Sequence, residues 1–203
     1  MELIKPFTSA SQAIDLLDNG GKFYNIFTKA DDDIISPSEV GKLAGVTFEK
    51  QKAVLYLQLA LSKLTSREQL EVEGRFDDTL ADNFQKYHAH ELNSAEAVHA
   101  EKIASNVLVK GSAVKLEEEG YVIGYVQIPI VDTFTLIPFS ESYTVYELKT
   151  EGSDTGILIA HNKDVAELPA GPLTIAGVVK EFQLEEGESS QTQKFIEVNY
   201  YTD

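Results

Sequence analysis

The sequence predicts an α+β protein: a helical N-terminal part followed by an antiparallel β C-terminal domain, in the form of a small barrel or sandwich. Before about residue 106, apolar residues recur at spacings of three and four, as on a helix face. After that point they alternate, with many β-branched and aromatic residues. The later strands have no helix-length gaps between them, which favours antiparallel pairing. We therefore place a mainly helical domain at 1–98 and a barrel-like domain at 99–203.

The first helix is predicted by its ends. Ser9 or Ser11 can cap it by accepting a backbone N–H, and the Asn-Gly-Gly triplet at 19–21 ends it. The aromatic segment that follows, 22–27, has a periodicity that does not separate strand from helix.

The segment at 28–39, TKADDDIISPSE, resembles the second half of an EF-hand calcium loop. It matches the eighth, ninth and twelfth places of that loop with Ile35, Ser36 and Glu39. It departs from the family pattern at Thr28, Ala30 and Asp33, where two ligands and a glycine belong. A serine cap, a proline at the first helical position and a glutamate at the third explain the same residues more simply. We expect a second helix to begin there.

A longer helix is predicted from Thr47 to about Leu64. Its apolar face is wide enough to indicate burial on most sides, so we expect Leu57 and Leu61 to be buried. Because leucines also alternate from position 55 to 61, a strand is the competing interpretation. Thr65 with Glu68 forms a possible further capping box, and the stretch after it is ambiguous.

One more helix is predicted after Asp77 or Asp78, and a last one near 94–104. From residue 106 onward the pattern predicts eight short strands, at 106–110, 112–118, 121–131, 133–138, 142–149, 156–160, 173–184 and 193–201. The run from 121 to 148 is the densest in β-branched and aromatic residues. Gly124 and Pro129 within it suggest a bulge or bend.

The charge of the chain limits its partners. It carries 33 acidic and 17 basic residues, a net charge of −16, which disfavours binding to nucleic acid or to a membrane surface. With no cysteine, it has no disulfide, thiolate zinc site or thiol nucleophile. Neither a secretory leader nor a membrane-length apolar run is apparent, so we expect a cytoplasmic protein.

Three histidines within twelve residues form the strongest candidate for a metal site. His88, His90, Glu96 and His99 could ligate zinc, iron or manganese if two helices brought them together. His88 and His90 are two apart and would point to opposite sides of one helix. A solvated polar face is therefore the favoured alternative, and we expect no cofactor.

Four strand tyrosines are the candidate ligand-binding residues: Tyr121, Tyr125, Tyr143 and Tyr146. A phenol ring combines an apolar body with a polar tip, which suits a pocket wall, although ordinary sheet packing explains it as well. The sequence contains no phosphate-binding glycine loop and no serine-hydrolase elbow. We therefore expect a non-enzymatic module that binds a small molecule or a protein through the β domain. A metal-dependent enzyme with its site at 88–101 is the alternative.

Overall fold

The computed structural model describes residues 1–19, 31–46, 49–130, 133–150, 155–186 and 189–203. The side chains of 117–141 and 182–192 lie outside this description, as do segment 22–27, Thr28, Ala30 and the predicted helix start at Thr47. Within the described residues every helix precedes residue 106 and long strands follow it. The α+β prediction, with a helical part followed by a β part, is confirmed. No described helix has the length and apolarity needed to cross a bilayer.

The described helices are α1 (Ala10–Leu17), α2 (Pro37–Leu43), α3 (Lys50–Leu61), α4 (Ser66–Glu73), α5 (Asp78–Lys86) and α6 (Ala95–Ala100). Side chains cap them as the sequence predicts. The Ser9 side chain accepts from the backbone N–H of Gln12, and Asp77 accepts from that of Leu80. The stretch after Thr65, ambiguous in sequence, is α4, and Thr65 and Glu68 form its capping box.

Helix α2 begins where the EF-hand resemblance lies. The carboxylate of Glu39 accepts hydrogen bonds from the backbone N–H and the hydroxyl of Ser36, each at 2.8 Å. Pro37 occupies the first helical position. The helix-start interpretation of these residues is confirmed.

Helix α3 is the centre of the helical part. Leu57 and Leu61 have 0% and 2% of their surface exposed, which confirms their predicted burial. The helix contacts both α2 and α5 and also strands of the sheet. Eight of its twelve residues are buried, as a wide apolar band requires. The strand interpretation of the leucine alternation is wrong.

The strands are β1 (Glu2–Leu3), β2 (His90–Leu92), β3 (Asn106–Ile130), β4 (Thr133–Lys149), β5 (Ile157–Asn162), β6 (Pro172–Glu186) and β7 (Ser189–Thr202). Five of them pair in a closed ring, in the order β3, β4, β5, β7, β6 and back to β3. The short strands β1 and β2 add to β7 and β3.

The sheet is mixed, where the sequence pattern suggested antiparallel pairing throughout. Four contacts of the ring are antiparallel and the fifth, between β5 and β7, is parallel. A closed ring with an odd number of strands cannot alternate direction all the way round, so one parallel contact is unavoidable. The additions of β1 and β2 are parallel as well.

Two main apolar cores result. The larger joins the helices to the outer side of the sheet, where Ala176 and Tyr200 pack against them. The Tyr200 hydroxyl donates to the carbonyl of Ala44, 2.9 Å away at the end of α2. The other core belongs to the ring and includes Ile159, Ile175 and Ile196, together with Val98 from α6.

Two pairs of strands continue beyond the ring as two-stranded ribbons. We call residues 121–130 of β3 with 133–142 of β4 the apolar arm, and residues 181–186 of β6 with 189–194 of β7 the polar arm. Among the described strands, none pairs with either arm besides its own two.

The pairing shows no bulge at Gly124 or Pro129, where the sequence suggested a bulge or bend. The pairing of β3 with β4 runs without interruption from Glu119 to Ile130, and its register shifts before that, between Lys115 and Glu119. The irregularity therefore lies where the ribbon leaves the ring. Pro129 fits an uninterrupted ladder because, at an edge, its missing N–H costs no hydrogen bond to the partner strand.

Candidate functional site

Two of the three histidines of the predicted metal site, His88 and His90, have separate partners. The side-chain nitrogen of Gln58 lies 3.1 Å from the ring nitrogens of His88, and the amide oxygen of Gln58 accepts from the backbone N–H of Ala89. The ring of Phe84 packs edge-on against the His88 imidazole, with 5.4 Å between centroids. His88 is thus held by an amide and an aromatic ring.

His90 pairs with Glu101 across 2.8 Å. This hydrogen bond is the main reason why the pKa of the Glu101 carboxyl falls to about 2. Glu96 accepts from the Thr155 hydroxyl at 3.3 Å, and His99 lies exposed in the last turn of α6. The four predicted ligands therefore do not form one site.

The described residues contain no group of three or more histidine, aspartate or glutamate side chains that could hold a metal ion. Local structure explains why the sequence argument failed. It needed two helices to bring the ligands together, but α5 ends at Lys86 and His90 lies in strand β2. His88 lies between these two elements, so the helical spacing that the argument assumed does not apply to either histidine.

Two of the four predicted ligand-binding tyrosines are inside the protein. Tyr143 and Tyr146 are each 2% exposed. The Tyr143 hydroxyl donates to the carboxylate of Glu197 at 3.0 Å, and Lys180 donates to the same oxygen at 2.7 Å. These phenols therefore serve packing and internal hydrogen bonds rather than a pocket wall. The side chains of Tyr121 and Tyr125 lie outside the described residues.

His161 is a buried titratable group of the β part, with 0% of its surface exposed. Its Nδ1 lies 2.8 Å from the carbonyl oxygen of Asn162, which can only accept, so Nδ1 carries the proton. Its Nε2 then accepts from the Tyr146 hydroxyl. Because both ring nitrogens are used internally, His161 is not placed to exchange a proton with a substrate.

The seam between helices and sheet holds a cavity of about 390 Å³. His88, Glu91, Lys63 and Lys110 are among its lining residues. The imidazole of His88 is already bonded to Gln58, and oppositely charged side chains are mixed along the wall. We find in its described lining no nucleophile paired with a base.

The apolar arm is the more informative feature. Of its twenty residues only one is charged, Glu141, at its base. Both alternating sets of arm residues are mainly apolar, so neither face of the ribbon has the polar composition of a solvated face. The sequence predicts this run as strand because it is the densest in β-branched and aromatic residues. In a chain with 33 acidic residues, the near absence of charge in both alternating sets is a further property that the strand prediction did not use.

No protein-family model and no curated protein matches the chain. Among solved structures it is similar to the 1.8 Å crystal structure of the N-terminal domain of an archaeal MCM. The identity is 13%, the match covers 83% of this chain and 84% of that chain, and the TM-score is 0.37. A likeness at that level carries no argument about fold or function.

Proposed function

We propose that this protein is a non-enzymatic protein-binding module whose binding element is the apolar arm. The observation that carries the proposal is the combination of an apolar sequence with a two-stranded backbone that pairs with no other strand of the described residues. A lone two-stranded ribbon is marginally stable in water, and a large apolar surface on a soluble protein marks an interaction site. Contact with another protein would bury the apolar residues of such a ribbon.

The polar arm provides an internal comparison. It is also a two-stranded extension of the ring, yet its twelve residues include three glutamates, a lysine and several serine, threonine and glutamine residues. The fold therefore tolerates a polar extension. The apolar composition of the other arm is a property of that arm and supports a role in binding.

Nucleic acid is not the partner that we propose. The ring has the strand order of the five-stranded OB-fold, whose members bind oligonucleotides on the face of their second and third strands. Here those strands are β4 and β5. The ring of Tyr143, in β4, is buried and packs edge-on against the ring of Phe195. Stacking platforms need accessible rings, and phosphate binding needs positive charge, which a net charge of −16 opposes.

The test is removal of the arm. Joining Val122 to Glu141 through Asn-Gly deletes residues 123–140 and closes the hairpin on an existing pair. The matched control joins Phe182 to Gln193 through Asn-Gly and removes the end of the polar arm. We expect both variants to keep the circular dichroism spectrum and thermal midpoint of the full chain. Only the first should lose binding of a fluorescent probe of apolar surface, measured at high dilution.

Two results would refute the proposal. Unfolding of the variant without the apolar arm would show that the arm belongs to the core. A full chain that is monomeric at high dilution and binds no more probe than this variant would show that the arm offers no surface for binding.

A further inference from the structure

We infer that a pocket in the helical part binds a small organic molecule with an apolar body and a single carboxylate. The pocket lies among α2, α3 and α5 and has a volume of about 640 Å³, which is in the range of small-molecule sites. None of its described lining residues belongs to either arm. We call it the helical pocket, and its lining includes Gly41, Val46, Ala53, Val54, Leu80 and Asn83.

The turn after α2 forms one wall of the helical pocket. The backbone N–H of Val46 donates to the carbonyl of Gly41 at 2.9 Å, and Gly45 has a φ of 65°, which glycine adopts at low cost. A Cβ at position 41 would lie 2.9 Å from the Val46 carbonyl oxygen, so this close approach requires glycine. Ala53 of α3 and Leu80 of α5 line the pocket from the other helices. The wall is therefore mainly apolar and is fixed by a tight turn of backbone.

Asn83 places an amide on the buried face of α5. It is 8% exposed, and the other buried residue of this helix is Leu80. Its side chain has no hydrogen-bond partner in the described part of the chain. A buried amide without a partner costs free energy, and native proteins contain few of them. The position therefore indicates a partner from outside the chain.

The amide of Asn83 is also accessible from the helical pocket. Within the described residues, the fully enclosed side-chain atoms that lack a partner belong to Glu39, Asn106 and Asn199. The amide of Asn83 is not one of them, so it keeps some accessible surface. Because Asn83 lines the helical pocket, that surface opens into it, where a bound molecule can supply the missing hydrogen bonds.

The first turn of α3 adds positive charge at the exposed rim of the pocket. Glu49 precedes this helix, but its side chain makes no capping hydrogen bond. The leading N–H groups of a helix have no intrahelical partner, and together with the helix dipole they favour an anion. Glu49 pairs with Lys52 at 2.6 Å, which leaves the exposed Lys50 without an ion pair among the described residues. Lys50 and Glu49 both line the pocket.

These features together specify the class of ligand. The apolar wall suits an apolar body, and a carboxylate accepts hydrogen bonds from both kinds of donor, the amide of Asn83 and the ammonium of Lys50. A multiply charged anion is disfavoured, because Glu49 also lines the pocket and the net charge of the chain is −16. At physiological salt this repulsion is screened beyond about 8 Å, so a monoanion can reach the site.

The experiment is calorimetric titration of the full chain with octanoate, octanol and octylammonium at neutral pH. We expect one octanoate per chain, with octanol bound about tenfold more weakly, since it lacks charge-assisted hydrogen bonds, and octylammonium more weakly still. In ¹H–¹⁵N spectra, octanoate should shift the side-chain amide of Asn83 and the backbone amides of the first turn of α3. No octanoate binding, equal affinity for octanol, or shifts confined to other parts of the chain would each overturn the inference.

Two substitutions and a control test the two donors. Asn83→Leu and Lys50→Gln should each weaken octanoate binding about tenfold and change octanol binding little. Lys102→Gln makes the same charge change at an exposed lysine that is not a lining residue, and it should bind octanoate as the full chain does. Equal weakening in the two lysine variants would show that the overall charge decides, and would overturn the site.

Stability separates a binding role of Asn83 from a structural one. Asn83→Leu should keep the thermal midpoint of the full chain, because no internal hydrogen bond of the side chain is lost. A clearly lower midpoint, or failure to fold, would show that the amide serves the fold and would overturn its assignment as a ligand contact. Lys50→Gln, at an exposed position, then still tests the pocket, and unchanged octanoate binding in that variant would overturn the inference as a whole.

The inference is independent of the proposed function. The variant that lacks residues 123–140 should bind octanoate with the affinity of the full chain, because the helical pocket is intact. Loss of octanoate binding in that variant, with its circular dichroism spectrum retained, would place octanoate on the apolar arm and overturn the helical pocket as its site.

Discussion

The hydroxyl of Tyr146 donates a hydrogen bond to Nε2 of His161 across 3.1 Å, beside the core of the ring. The same hydroxyl oxygen accepts from the backbone N–H of Leu168 at 3.2 Å. The chain of donors runs from Leu168 through Tyr146 to His161 and on to the carbonyl of Asn162. The bond from Tyr146 to His161 exists only while the imidazole is neutral, because a protonated Nε2 can no longer accept.

We predict that stability falls as the pH drops below about 6.5. Burial lowers the pKa of His161 from its usual 6.5, so in acid the unfolded chain takes up a proton that the folded chain does not. The contribution is fully present above pH 6.5 and is lost as the pH falls toward the lowered pKa. Urea unfolding at pH 7.5 and 5.5 should show this loss.

Two further measurements assign that effect. In His161→Gln, the free energy of unfolding should differ much less between pH 7.5 and pH 5.5. In His99→Gln, where the substituted position is exposed, the difference should remain. If the glutamine at 161 prevents folding, the ring proton shifts of the unmodified protein can be followed instead. An imidazole of His161 that titrates at 6.5 or above would contradict the prediction.

Replacing the capping-box glutamate by glutamine should change the thermal midpoint in opposite directions in α2 and α4. Glu39 is 2% exposed, burial raises its pKa, and its second carboxylate oxygen has no hydrogen-bond partner among the described residues. Its stabilising contribution is present below about pH 4.5 and is lost as the pH rises through the raised pKa. Because glutamine can accept the same bonds from Ser36, Glu39→Gln should raise the thermal midpoint at pH 7.

Glu68→Gln is the matched control. The bonds from the side chain and backbone of Thr65 lower the pKa of the exposed Glu68 carboxyl, so its contribution is present above pH 4.5 and lost in acid. This variant should have a lower midpoint at pH 7. Equal shifts in the two variants would show that burial of Glu39 does not decide its effect.

The third prediction concerns helix α3. Leu57→Ala removes a fully buried side chain and should cost about 2–5 kcal/mol through lost burial and a cavity. For a chain of this length that lowers the thermal midpoint by roughly 4–20 °C. Lys63→Ala, at an exposed position, should change it little. Equal effects in calorimetry would refute the assignment of the buried face.

The fourth prediction concerns the joint between the helices and the sheet. Tyr200→Phe keeps the aromatic side chain but removes the hydroxyl that donates to the Ala44 carbonyl. The free energy of unfolding should fall by about 1–3 kcal/mol. Tyr201→Phe is the neighbouring control, since its hydroxyl makes no hydrogen bond within the described part of the chain. Urea unfolding of both variants measures the difference. A larger loss in Tyr201→Phe would mean that this bond does not stabilise the joint.

Local signals predicted the helical part well because they act within a few residues. Ser9, Ser36 and Asp77 lie at the helix starts that the sequence indicated, since a cap needs only the next turn of backbone. The ligand set failed because it required the ends of three separate elements to converge. His88 follows α5, His90 lies in β2 and His99 lies in α6, and no local pattern fixes their relative positions.

The sequence by itself determined the class of the protein, the caps, the buried face of α3 and the net negative charge, because periodicity, capping residues and charge are local or additive properties. Only the tertiary structure decided that five strands close into a ring with one parallel contact, and that Tyr143 and Tyr146 are interior. It also decided that the run densest in β-branched and aromatic residues continues beyond that ring as a ribbon. These facts depend on which strands pair across long separations, and residue alternation specifies the faces of a strand but not its neighbours.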